Sequence, residues 1–147
     1  MNLRSWCAAG LVGALMKVCA AGPAWAEVRI QHDLGGQIGD YLKKYAAVRH
    51  SGERVVVDGR CASACTLALG VIPHDRICVT DNAVLAFHAA WEPLEDGRTV
   101  THRAGTALLM SIYPPTIRAW IKHHGGLSRD TILLQGRELA ALYPRCP

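Results

Sequence analysis

Nothing in this chain gathers positive charge into a run. No lysine or arginine tract and no basic stripe interleaved with aromatics occurs in its 147 residues, so a nucleic-acid groove or a contact with an anionic membrane has no electrostatic footprint. A bilayer-spanning stretch is missing too. The longest uncharged part of the N-terminal apolar region, Ser5 to Met16, falls short of the roughly 20 residues a membrane helix requires. Internal repeats and low-complexity tracts are lacking, which excludes solenoids and biased linkers. The spacing Cys61-x-x-x-Cys65 does not suit a zinc knuckle, and His123-His124 closes a helical segment where imidazolium complements the dipole. No metal and no cofactor is expected.

What is present begins with a leader. Met1 to Arg4 is a short basic start, Trp6 to Ala21 is mostly apolar, and Ala24-Trp25-Ala26 fits a small-x-small cleavage site. The pattern predicts a signal peptide over 1–26 and one domain over 27–147, periplasmic or secreted, with no membrane span after cleavage. Met16-Lys17-Val18 before Cys19 is a poor lipobox, which argues against lipid anchoring. Removing Arg4 and Lys17 lowers the formal charge from +4 to +2, a nearly neutral domain. Its length suffices for one core, not two.

Four cysteines remain, Cys61, Cys65, Cys78 and Cys146, and in an oxidising compartment they read as disulfides. Of the three pairings, Cys61 with Cys65 is the least favoured, because both are expected at one helix start with side chains that face each other poorly. The other two join that helix start to Cys78 and to Cys146.

Along the domain, Glu27 to Gln31 alternates as a short strand and stops at Asp33-Leu34-Gly35-Gly36. Gln37 to Arg49 places Ile38, Tyr41, Leu42, Tyr45 and Ala46 on one helical face. Arg54 to Asp58 carries Val55-Val56-Val57, a run suited to a buried parallel strand. Ala62 to Gly70 reads as a small apolar helix, and Arg76 to Thr80 and Ala83 to His88 as two strands. Trp91 to Arg98 reads as an exposed loop. Helices follow over Thr101 to Ile112, Thr116 to His124 and Gln135 to Leu142, the first stopped by Pro114-Pro115. The alternation predicts an α/β domain, a mostly parallel sheet with crossover helices.

Three features fall on element ends. Gly35-Gly36 follows a strand and precedes a helix, where backbone N–H groups are free and a ligand can come close. Ser63 lies where a strand gives way to a helix, and His88 ends the run Val84-Leu85-Ala86-Phe87. Each has a plain structural explanation: a turn, an N-cap serine, a core histidine. Their order and spacing, 27 residues from Gly36 to Ser63 and 25 from Ser63 to His88, add what none carries alone. Arg98, His102 and Arg103 read as solvated, and Tyr113 and Trp120 as packing residues.

With those residues in place, the chain from about Val28 to Trp91 resembles the core of the Clp protease proteolytic subunit, in the Clp and crotonase superfamily. In that family a glycine loop supplies oxyanion N–H groups, a Gly-x-x-x-Ser segment carries the nucleophile, and a later histidine is the base. The matching residues here are Gly35-Gly36, Gly59 with Ser63, and His88. The chain is also similar to small exported bacterial proteins that share its Gly-x-Cys-x-Ser-Ala-Cys-Thr and Phe-His-Ala-Ala-Trp segments.

The resemblance implies a small Clp/crotonase-like domain with a serine peptidase site acting on a peptide or protein. Ser63 would be nucleophile and His88 base, with the oxyanion held at Gly35, Gly36 and Ala64. Aligning Leu133 to Leu139 with the family's closing helix puts its catalytic aspartate at Thr131, and a one-residue slip nominates Asp130. A Ser-His dyad and a non-catalytic binding domain of the same fold stay open beside the triad. A crotonase-type enolate enzyme is a weaker fit, since coenzyme A thioesters are not expected outside the cell membrane. Because so little chain precedes the glycine loop, a homo-oligomer covering the first strand is a further expectation.

Overall fold

The computed structural model describes residues 26–147, and the leader expected over 1–26 lies outside the described residues except for Ala26. The chain forms β1 (Glu27–Asp33), α1 (Ile38–Ser51) and β2 (Arg54–Ala62), then a 3-10 turn over Ser63–Leu67 that runs into α2 (Ala68–Val71). A second 3-10 turn, His74–Arg76, leads to β3 (Ile77–Val79) and β4 (Val84–Phe87). The rest comprises β5 (Trp91–Pro93), β6 (Thr99–Thr101), α3 (Arg103–Ile112), α4 (Pro115–His123), β7 (Ile132–Gln135) and α5 (Gly136–Leu142).

The main sheet has the order β1-β2-β4-β7, with β3 also paired to β2. Every pairing in it is parallel except β4 with β7. The architecture is thus the mixed α/β type with a mostly parallel sheet. Val55, Val56 and Val57 are all buried, as a strand covered on both faces demands. α1 contributes Tyr45 and Val48 to the core, α3 Leu109, and α4 Ile117 and Ile121. Each such side chain stabilises the fold by about 1.5–3 kcal/mol relative to leaving it in water.

One irregularity directs the rest. The β1–β2 register runs Ile30 with Val57 and then His32 with Arg60, so β2 carries an extra residue at Asp58-Gly59. A side chain at Gly59 is impossible, because its Cβ would lie 2.0 Å from the Gln31 carbonyl oxygen. Beyond this bulge β2 changes partner: Val55–Val57 pair with β3, whereas Arg60–Ala62 pair with β4. The Asp58 carboxylate pins the junction, accepting hydrogen bonds from Arg29, Thr80 and Asn82.

Four sequence expectations are corrected. β2 continues through Ala62, so the small apolar segment is not one helix from Ala62 to Gly70: a 3-10 turn fills its first half. Trp91 to Arg98 is not a loop throughout. β5 and β6 pair antiparallel there, Leu94 N–H donating to the Arg98 carbonyl across a turn that Gly97 closes with φ +81°. Leu133 to Gln135 do not start a helix but belong to β7, and α5 begins at Gly136.

The fourth correction concerns cysteine. Cys61 bonds to Cys65, and Cys78 to Cys146. The pairing read as least favoured forms because Cys61 belongs to the end of strand β2 rather than to a helix start. Ser63, at φ +55°, folds the chain back so that the two Cα atoms lie 5.3 Å apart. Both bridges suit an oxidising compartment. No helix among the described residues is long and apolar enough to cross a membrane.

Candidate active site

Parallel strands end side by side, and α/β sheets bind ligands in the crevice beyond their carboxyl ends. Gly35-Gly36 follows β1, Ser63 follows β2 directly, and His88 follows β4 directly. The register Ala62 with Ala86 sets the last two ends next to each other. Gly35, Gly36, Ser63, Ala64 and His88 all line one cavity of about 780 Å³. The structure therefore brings together five of the six residues nominated for chemistry.

The glycine loop meets the serine turn by direct backbone approach. A Cβ on Gly35 would lie 2.6 Å from the Ala62 carbonyl oxygen, 2.7 Å from Ser63 Cβ and 2.9 Å from the Ala64 nitrogen. At φ +84°, Gly35 also adopts the left-handed region that favours glycine. Asp33 fixes the loop from behind: its Oδ1 accepts the Gly35 N–H at 2.9 Å and the Tyr41 hydroxyl, and its Oδ2 takes Lys44 at 3.2 Å. Burial alone would raise the Asp33 pKa, but those three donors together hold it below the ordinary carboxylate value. Burial first, then Asp33, pushes the Tyr41 phenol up to about 12, so Tyr41 stays a donor.

Because the Gly35 N–H is spent on Asp33, the donors left for an oxyanion are those of Gly36 and Ala64. Ala64 sits in the first turn of the 3-10 helix, where N–H groups have no intrahelical acceptor.

Ser63 does not cap its helix. The cap residue is Ala62, which has no side-chain bond, and Ser63 is the first residue of the turn. Among the described residues it is also the sole non-glycine with positive φ. That conformation costs an L-residue about 1–2 kcal/mol. Thr66 holds the turn closed, its hydroxyl donating to the Ser63 carbonyl at 2.6 Å and sharing a 2.6 Å contact with the buried Tyr113 hydroxyl.

His88 is half-buried, with Nδ1 2.8 Å from the Ala89 carbonyl oxygen. A carbonyl can only accept, so in this contact Nδ1 carries the proton and the Nε2 lone pair of the neutral ring is left to act as base. A second, smaller cavity of about 340 Å³ shares His88 and is lined by Thr99, Thr101, Arg129 and Thr131. Thr131 reaches it because the antiparallel pair Phe87 with Ile132 puts the next residues, His88 and Thr131, beside each other. Asp130 lines neither cavity: it is exposed in a bend where its N–H meets Ser128 Oγ. Of the six nominated residues it alone is not brought to the site.

Sequence reasoning passed over the rest of the lining. Trp91, Glu92 and Pro93 of β5 all border the large cavity, as do His102 and Leu108. His102, read as solvated, is indeed exposed yet forms part of this wall. Leu34, Trp91 and Leu108 are 61 %, 57 % and 44 % exposed at its mouth, leaving large apolar groups open to solvent where a ligand would enter. The Asp33 role had a signal, since aspartate two residues before glycine is an Asx-turn pattern. No protein-family model matches the chain, and no curated protein does.

Proposed function

We propose that residues 27–147 are a Clp-like serine hydrolase, exported by cleavage of the leader, that acts on peptide bonds. The observation that carries this reading is that a serine at positive φ, a histidine, and the backbone of Gly36 and Ala64 line one cavity at the strand ends. Ser63 Oγ attacks the carbonyl carbon while His88 Nε2 accepts its proton. The oxyanion forms against the N–H groups of Gly36 and Ala64, each good donor lowering the barrier by about 3 kcal/mol. His88 then gives the proton to the leaving amine, and water repeats the sequence to release the acyl group. The Ala89 carbonyl does the work of a third member by fixing the tautomer. On this reading the fold is a small Clp/crotonase-like domain.

A peptide substrate is favoured by the edge of β5. His102 N–H donates to the Ala90 carbonyl and Leu94 N–H to the Arg98 carbonyl. Antiparallel ladders alternate, so Ala90, Glu92 and Leu94 point their backbone groups at β6. Trp91 N–H and C=O and the Pro93 C=O then face the other way. Successive side chains of a strand take opposite faces, so three consecutive residues border one cavity most simply when it lies along their edge. An extended peptide can pair with such an edge.

The position of Asp130 outside the site favours one rival, a binding domain without catalysis. A fluorophosphonate probe separates the two readings. The folded, oxidised protein is expected to label covalently, Ser63→Ala to abolish labelling, and His88→Ala to slow it at least about 100-fold. Absence of labelling in folded protein, with a known serine hydrolase labelled alongside, would transfer the case to the binding domain.

A further inference from the structure

The two disulfides differ in a way that stability does not explain. Cys78–Cys146 spans 68 residues and ties β3 to the C-terminal segment, where Cys146 N–H donates to the Val79 carbonyl and Val79 N–H to that of Pro144. Closing so long a loop removes much chain entropy from the unfolded state, which is how a bridge stabilises a small domain. Cys61–Cys65 spans four residues and removes less than half as much. What sets it apart is where it sits in the folded state.

At its midpoint stands Ser63. A strand advances about 3.3 Å per residue, so Cys61 and Cys65 would lie about 13 Å apart if β2 simply continued. Their Cα atoms are 5.3 Å apart, and the reversal is made at Ala62, Ser63 and Ala64, with Ser63 at φ +55°. Such a residue needs surroundings that over-determine it. On one side Gly35 packs against Ala62, Ser63 and Ala64. On the other, the bridge joins the two ends of the turn, and the Tyr45 hydroxyl holds the Cys65 carbonyl at 2.9 Å. Both sulfur-bearing residues are buried, Cys61 at 1 % and Cys65 at 0 % exposure, so a reductant in solvent does not reach the bridge in the folded protein.

We propose that the Cys61–Cys65 disulfide is a positioning cross-link, which holds Ser63 in its left-handed conformation so that Oγ meets a substrate carbonyl next to the Gly36 and Ala64 N–H groups. It rests on the hydrolase reading for its consequence, but not for its geometry. It is a permanent staple of the nucleophile turn rather than a redox switch.

The test compares Cys61→Ala/Cys65→Ala with Cys78→Ala/Cys146→Ala in the oxidised, folded protein. The first variant is expected to keep the other bridge, with no free thiol, and native far-UV circular dichroism, but to label with fluorophosphonate at least about tenfold more slowly. The second is expected to melt at lower temperature and, below that temperature, to label within about twofold of the parent. Backbone dihedrals at Ser63 from NMR give a readout that needs no activity: positive φ in the parent and a shift to negative φ in Cys61→Ala/Cys65→Ala. If the parent does not label, the hydrolase reading falls and the dihedral still decides the staple. A folded Cys61→Ala/Cys65→Ala variant that keeps positive φ at Ser63, or that labels at the parent rate, would overturn the proposal. If that variant does not fold, Cys61→Ala/Cys65→Ala is made with Ser63→Gly. Recovery of folding by glycine, which occupies positive φ without strain, supports the staple, and failure to recover counts against it.

Discussion

One wall of the large cavity, Gly35 with Ala62 to Ala64, is fixed by backbone contact, a carboxylate and a covalent bridge. The other stands largely in solvent, Trp91 to Pro93 on a ladder of three residues per strand and Leu108 on the outer side of α3. The first wall has no slack: there Gly35 could not accept even a methyl group. The second offers exposed backbone and few buried neighbours, features of segments that open at low free-energy cost. Chemistry needs reacting atoms held within fractions of an ångström, whereas recognition of varied side chains tolerates movement. On the proposed hydrolase reading, the contrast is that of a rigid catalytic side and a pliable recognition side, and each substitution below is chosen to break or sharpen it.

The largest effect is expected at Gly35. Gly35→Ala places a Cβ within 2.7 Å of both the Ala62 carbonyl oxygen and Ser63 Cβ, and does so at φ +84°. Neither atom belongs to the far end of a flexible side chain, so the turn itself must shift. We expect a stability loss of about 1–3 kcal/mol in chemical denaturation and a fall in fluorophosphonate labelling of at least about 100-fold. Parent-like labelling in Gly35→Ala would show that the catalytic wall is not tight.

Trp91 tests the other side, with a smaller effect. Its indole is mostly exposed, so Trp91→Ala should change stability by less than about 0.5 kcal/mol. A small fluorophosphonate has no extended backbone to pair with the β5 edge and should label within about twofold of the parent. Peptide turnover should show KM raised about tenfold with kcat little changed, the mark of lost binding shared by ground and transition states. Equal losses in kcat and kcat/KM would move Trp91 to the catalytic side and end the division.

How much of this could be read beforehand follows the same division. The parallel strands were legible because β-branched runs such as Val55 to Val57 announce a strand buried on both faces. That Gly35-Gly36, Ser63 and His88 fall at one end of the sheet was legible because parallel strands deliver residues there. The Cys61–Cys65 bridge was not, since it depends on Ser63 adopting a conformation serine rarely takes, and composition gives no sign of that. The β5–β6 hairpin was hidden by Pro93 and Gly97, which read as loop. They are tolerated because Pro93 sits where no N–H is needed toward β6 and Gly97 closes the turn. β7 was hidden because Ile132 to Gln135 is short and adjoins a helix, and pairing with β4 rather than local preference makes it a strand.

The smallest effect should come from placing a carboxylate beside His88. On the proposed Clp-like reading the third member's place falls at Thr131, and the register Phe87 with Ile132 puts Thr131 next to His88 at the smaller cavity. Arg129 lines the same cavity, already bonded to the Thr99 carbonyl and hydroxyl, and would help to hold a negative charge there. In a triad the carboxylate fixes the imidazole tautomer and stabilises the imidazolium formed during attack. Here the Ala89 carbonyl, 2.8 Å from Nδ1, already does the first of these. Thr131→Asp can therefore add only the second, and partial exposure of the cavity reduces it. We expect labelling to rise about threefold, with Thr131→Asn giving no rise because it brings no charge. A rise of a thousandfold would mean that the carbonyl does not orient His88 and that the parent lacks its third member. No change, with the variant folded, would mean that position 131 does not reach the ring and that the dyad works with the Ala89 carbonyl alone.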